Sequence, residues 1–133
     1  MGAWDFGPFD NDDAGDWLYD LEKSSDTSVI AEALRKVTEI GDEYLEAPDC
    51  SSAIAAAEVL AALRGHPVAK FPDNAKLWVE THRTLVVANL VPNAIAALQR
   101  IRTNSELKKL WDESEEAPKW YATIDDLTQR LNA

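Results

Sequence analysis

Five aspartates, Asp10, Asp12, Asp13, Asp16 and Asp20, crowd into a short stretch near the start of the chain. Carboxylates at that density can hold a divalent cation, activate a metal-bound water, or receive the lysines and arginines of another protein. On a helix, Asp12 with Asp16, Asp13 with Asp16, and Asp16 with Asp20 become neighbours across one turn. Like charges there destabilise a helix by about 0.2–0.5 kcal/mol per pair unless something compensates them. The helix dipole and solvent, basic side chains from elsewhere in the chain, a cation, or a partner's basic residues are the candidates.

The calcium version can be tested against the helix–loop–helix pattern, which wants oxygen ligands at loop positions one, three and five, Gly at six and Glu at twelve. Aligned on Asp10, the chain supplies Asp12 at three but Ala14 at five, and Gly15 at six but Leu21 at twelve. Two ligand positions fail, one of them the bidentate one. A looser divalent site would draw on Asp10, Asp12, Asp13 and Asp16, with Glu43, Glu46 or His82 brought in from elsewhere. One dense helix offers too few directions by itself to surround an ion. No cofactor fingerprint occurs: there is no glycine-rich phosphate loop and no Gly-x-Ser-x-Gly nucleophile elbow. His66 and His82 stand far apart and in no helical pair with another ligand. Cys50 is alone, which excludes an internal disulfide and a cysteine-built zinc site and suits a reducing compartment.

The rings beside the acids offer a different chemistry. Trp4, Phe6 and Phe9 precede the aspartates and Trp17 sits among them. An aromatic arm beside a carboxylate face would suit a hot spot for a basic, partly apolar partner. Trp78, Trp111 and Trp120 read instead as core residues of a small helical domain.

The elements that must position these groups follow from apolar spacing. Residues 1–10, with two Gly, one Pro and three rings, resist regular helix and read as a packed arm. A first helix is expected from about Asp12 to Glu22, burying Ala14, Trp17, Leu18 and Leu21. A second begins at Ser25 or Asp26 and carries Val29, Ile30, Ala33, Leu34, Val37 and Ile40 until Gly41, with Tyr44 and Leu45 extending the contact. After a break at Pro48, Asp49 or Ser51 caps a third helix that is small or apolar nearly all round apart from Glu58, the mark of a central helix. Gly65, then His66-Pro67, stop it. Asp73 or Asn74 opens a short helix through Trp78 to Thr81. Residues 85–90 are ambiguous, but Val86 and Val87 have no second strand to pair with, so a resumed helix or a helical turn is expected. Pro92 opens a helix ending near Thr103, Asn104 or Ser105 caps a short one through Trp111, and beyond Pro118 a terminal helix carries Trp120, Ile124, Leu127 and Leu131. The expectation is an all-α fold: one domain over 1–133, a compact bundle of six or seven short helices with an irregular aromatic N-terminal arm.

The chain's 133 residues, 46% hydrophobic and 28% charged, are enough for one core. No apolar run approaches the roughly 18–20 residues of a membrane span, and the start lacks the order of a secretory signal, so the expected address is the cytoplasm. The net charge of −11 is uneven: residues 1–26 carry −7, 27–63 carry −5, 64–109 carry +5 and 110–133 carry −4. Either the basic block packs beside an acidic one and the fields cancel, or an acidic surface remains to receive a basic partner. Direct nucleic-acid binding is disfavoured, since phosphate recognition needs a net basic face.

The opening MGAWDFGPFDNDDAGDWLYDLE resembles that of the family of small bacterial proteins known as domain of unknown function 4259. The stretches YLEAPDCSSAIAAAEVLAALRGHP and SELKKLWDES and the Trp120 helix are similar too, so the resemblance covers nearly the whole chain. Its pattern falls here on Trp4, Gly7, Phe9, Asn11, Asp12, Asp13 and Trp17, with Asp5 departing where Gly is more usual. The resemblance implies a bacterial, single-domain helical protein and carries no mechanism with it.

The leading expectation is therefore a non-enzymatic interaction module for a basic protein partner, contacted through Trp4, Phe6, Phe9, Asp12, Asp13, Asp16 and Asp20. The alternatives are a divalent-metal-dependent hydrolase using the Asp10 to Asp20 carboxylates, and a homodimer paired through surplus apolar surface on the alanine-rich or terminal helix.

Overall fold

The computed structural model describes residues 12–69 and 71–133. Among them are seven α-helices, one 3₁₀ turn and no strand: α1 (Asp12–Glu22), α2 (Ser28–Thr38), α3 (Ala47–Leu63), α4 (Asp73–Thr81), the turn Ala88–Leu90, α5 (Val91–Thr103), α6 (Glu106–Asp112) and α7 (Ala117–Asn132). Trp4, Phe6, Phe9 and Asp10, with the arm that carries them, lie outside the described residues.

Alanine determines the centre. Ala53, Ala55, Ala56, Ala57 and Ala61 of α3 are fully buried, and α3 touches all six other α-helices. Helices can approach that closely only where the side chains between them are small. The longer apolar residues come from the surrounding helices: Leu21 of α1, Ile30 and Leu34 of α2, Leu98 and Ile101 of α5, and Ile124, Leu127 and Leu131 of α7. The apolar faces of α3 and α7 that suggested self-pairing are thus covered by the chain itself. Trp17, Trp78, Trp111 and Trp120 are all buried, and the last two stack with ring centroids 6.4 Å apart.

Glu58, the buried charge of α3, is 1% exposed. A carboxylate there would be prohibitive without a partner. Arg130 of α7 supplies one, donating to both Glu58 oxygens at 2.8 and 2.9 Å, to Asp126 at 2.8 Å and to the His66 carbonyl at 3.1 Å. Burial still pushes the Glu58 carboxyl above its ordinary pKa, against the opposing pull of Arg130.

Several boundaries differ from those read along the chain. Pro48 does not break the chain ahead of α3 but lies in its first turn, where a missing N–H leaves nothing unpaired. Neither Asp49 nor Ser51 caps that helix; the Ala47 N–H donates instead to the Glu106 carboxylate at 2.7 Å, and the Glu106 N–H donates to the Leu45 carbonyl at 2.9 Å. One short helix thereby caps the central one from 59 positions away. The second helix starts at Ser28, whose N–H and hydroxyl both donate to Asp26, and it ends at Thr38, short of Ile40. Leu45 reaches the core while Tyr44 stays 54% exposed. Within residues 85–90 only Ala88–Leu90 form a helical turn; Val87 and Leu90 are buried and Val86 stays outside.

Other signals act where they stand. Gly65 adopts φ +89°, and the His66 and Gly65 N–H groups donate to the Ala61 and Ala62 carbonyls at 2.9 and 3.0 Å, closing the end of α3. Ser105 caps α6 by accepting from the Lys108 N–H at 3.1 Å. The indole of Trp78 donates to the Ser24 carbonyl at 2.9 Å and ties α4 to the end of α1.

Candidate functional site

Within α1, the buried positions Ala14, Trp17, Leu18 and Leu21 face the core, so Asp13, Asp16 and Asp20 are turned to the edge of that face by helical spacing alone. What they meet there is set by α2 and α3. Val29, Glu32, Ala33 and Lys36 recur along α2 at three and four residues, and with Ser52 of α3 they form the opposite wall of a groove of about 380 Å³. Trp17 and Ala33 are its buried lining, and Asp16, Asp20, Glu32 and Lys36 are exposed. Four carboxylates thus share one groove with one ammonium.

Where the chain's basic residues go decides whether that charge is neutralised. Arg102 pairs with Asp125 at 2.8 Å and Lys108 with Asp112 at 2.7 Å, so the basic block meets the C-terminal acidic block. Arg100 donates to backbone carbonyls of Gly41, Glu43 and Asn104. Lys23 lies over the Tyr19 ring, 4.0 Å from its centroid. Among the described residues, no ion pair reaches Asp13, Asp16, Asp20 or Glu32. Part of the basic block thus pairs with the C-terminal acidic block, and the α1 carboxylates of the groove carry no ion pair among the described residues.

Trp17, in the groove lining, is 7% exposed, and its indole N–H is buried with no acceptor among the described residues. A buried donor left empty costs about 1–3 kcal/mol.

Of the residues singled out along the chain, Asp13, Asp16 and Asp20 come together and Trp17 joins them. Asp12 is exposed in the first turn of α1 and does not line the groove. Glu32, Lys36 and Ser52 are new to the site. The signal for Glu32 and Lys36 was present as polar positions flanking Val29 and Ala33 in the α2 stripe, but nothing local said that this flank would face α1, and Ser52 of α3 had none.

No group of three or more His, Cys, Asp or Glu among the described residues is placed to hold a metal ion. His82 ends α4 with its ring stacked on Trp78, centroids 4.2 Å apart, and its Nδ1 is 2.7 Å from the Trp78 carbonyl. The carbonyl can only accept, so Nδ1 carries the proton in that bond. Cys50 is fully buried, and burial pushes its thiol pKa up to about 11, which leaves it a poor nucleophile at neutral pH. A larger cavity of about 540 Å³ lies between the end of α3 and α4, with Asp73 and Glu80 offset by Lys76 and Arg83. Balanced charge there selects no ionic partner.

The molecule is thus an all-helical protein built around one buried alanine-rich helix, with an acidic groove on its α1–α2 face. Residues 2–123 match the model of the family described as Domain of unknown function (DUF4259), and the chain belongs to that family. No curated protein and no solved structure matches it.

Proposed function

We propose that this chain is a non-enzymatic interaction module of the cytoplasm, whose acidic groove receives a basic segment of a protein partner and thereby regulates or neutralises it. The observation that carries the reading is the set Asp13, Asp16, Asp20 and Glu32 in one groove, with no ion pair among the described residues. Carboxylates on adjacent turns repel one another in the free chain, and a partner's cations relieve that repulsion on binding. The net charge of −11 also draws a basic protein toward the surface before contact. No helix among the described residues is long and apolar enough to cross a membrane.

The test is a pair of charge-matched variants. Asp16→Lys with Asp20→Lys alters the groove, whereas Asp12→Lys with Glu22→Lys makes the same charge change on exposed positions of α1 outside it. A basic partner captured from a native lysate at low salt, then purified and titrated, should lose at least about tenfold in affinity to the first variant and far less to the second. Its binding should also weaken as salt rises. Equal losses in both variants would reduce the groove to a share of the overall field. Undiminished binding in the first would overturn the reading.

A further inference from the structure

We draw no further inference here: the strongest candidate, the cavity of about 540 Å³ between the end of α3 and α4, has a rim on which Lys76 and Arg83 offset Asp73 and Glu80, and nothing in the structure shows what covers it.

Discussion

Replacing Arg130 with Met should be the most damaging single change outside the apolar core, and its damage should depend on pH in a direction the burial of Glu58 dictates. The substitution removes two hydrogen bonds to Glu58 and the bonds to Asp126 and the His66 carbonyl. Asp126 is exposed and recovers water, but the Glu58 side chain is only 2% exposed and does not. Stranding a buried charge costs about 3–5 kcal/mol, a large part of the roughly 5–15 kcal/mol that holds a domain together. The pKa of Glu58 is already raised in the folded state, with desolvation the larger cause and Arg130 opposing it. A carboxyl that binds its proton more tightly folded than unfolded loses stability as pH rises from its unfolded pKa through its folded one. Without Arg130 that window widens, so the loss relative to wild type should be fullest at pH 7 and shrink toward pH 4.5. Urea unfolding followed by circular dichroism at both pH values measures the difference. The double variant Glu58→Met with Arg130→Met removes charge and partner together, and should return to within about 1–2 kcal/mol of wild type at pH 7. A loss below about 1 kcal/mol for Arg130→Met at pH 7, or one that does not diminish on acidification, would refute the view that Glu58 is ionised and held by Arg130.

The groove predicts a conflict between stability and binding. Asp20→Lys turns a repulsive pair with Asp16 into an attractive one and should raise stability by about 0.5 kcal/mol at low salt while weakening a basic partner. Two glycines should respond oppositely to alanine in chemical denaturation. Gly15, inside α1 with open space for a Cβ, should gain about 0.5–1 kcal/mol, whereas Gly65, at φ +89°, should lose about 1 kcal/mol or more despite equally open space. The Cys50 thiol should resist a disulfide reagent at pH 8 in the folded protein and react fully once urea unfolds it. Fast labelling of the native state would contradict its burial.

Recognising α1 needed only its own residues. Asp12 and Asp13 at the dipole-favoured end and apolar side chains at positions 14, 17, 18 and 21 specify both its limits and its buried face. The central place of α3 was legible for a similar reason, since a helix apolar on every side has nowhere else to go. Its beginning was not. Pro48 carries two opposite meanings, a break or a first turn, and the choice fell to Glu106, whose carboxylate reaches the Ala47 N–H. The oddity of Glu58 was visible in the same way, and its answer was not, because Arg130 lies 72 positions on and makes its pairing only once α3 and α7 are packed.

The site divides along the same line. Periodicity alone places Asp13, Asp16 and Asp20 on neighbouring turns, and composition alone makes the chain acidic. Whether those carboxylates would be neutralised internally was a question of which helix packs beside which, and the packing sends Arg102 and Lys108 to the C-terminal block and leaves α1 facing Glu32. The same packing leaves the buried Trp17 N–H with no acceptor among the described residues. Helical spacing is a property of consecutive residues and can be read from their order. Pairing across the bundle depends on the joint burial of seven helices, each exchanging water for neighbours that no local stretch names.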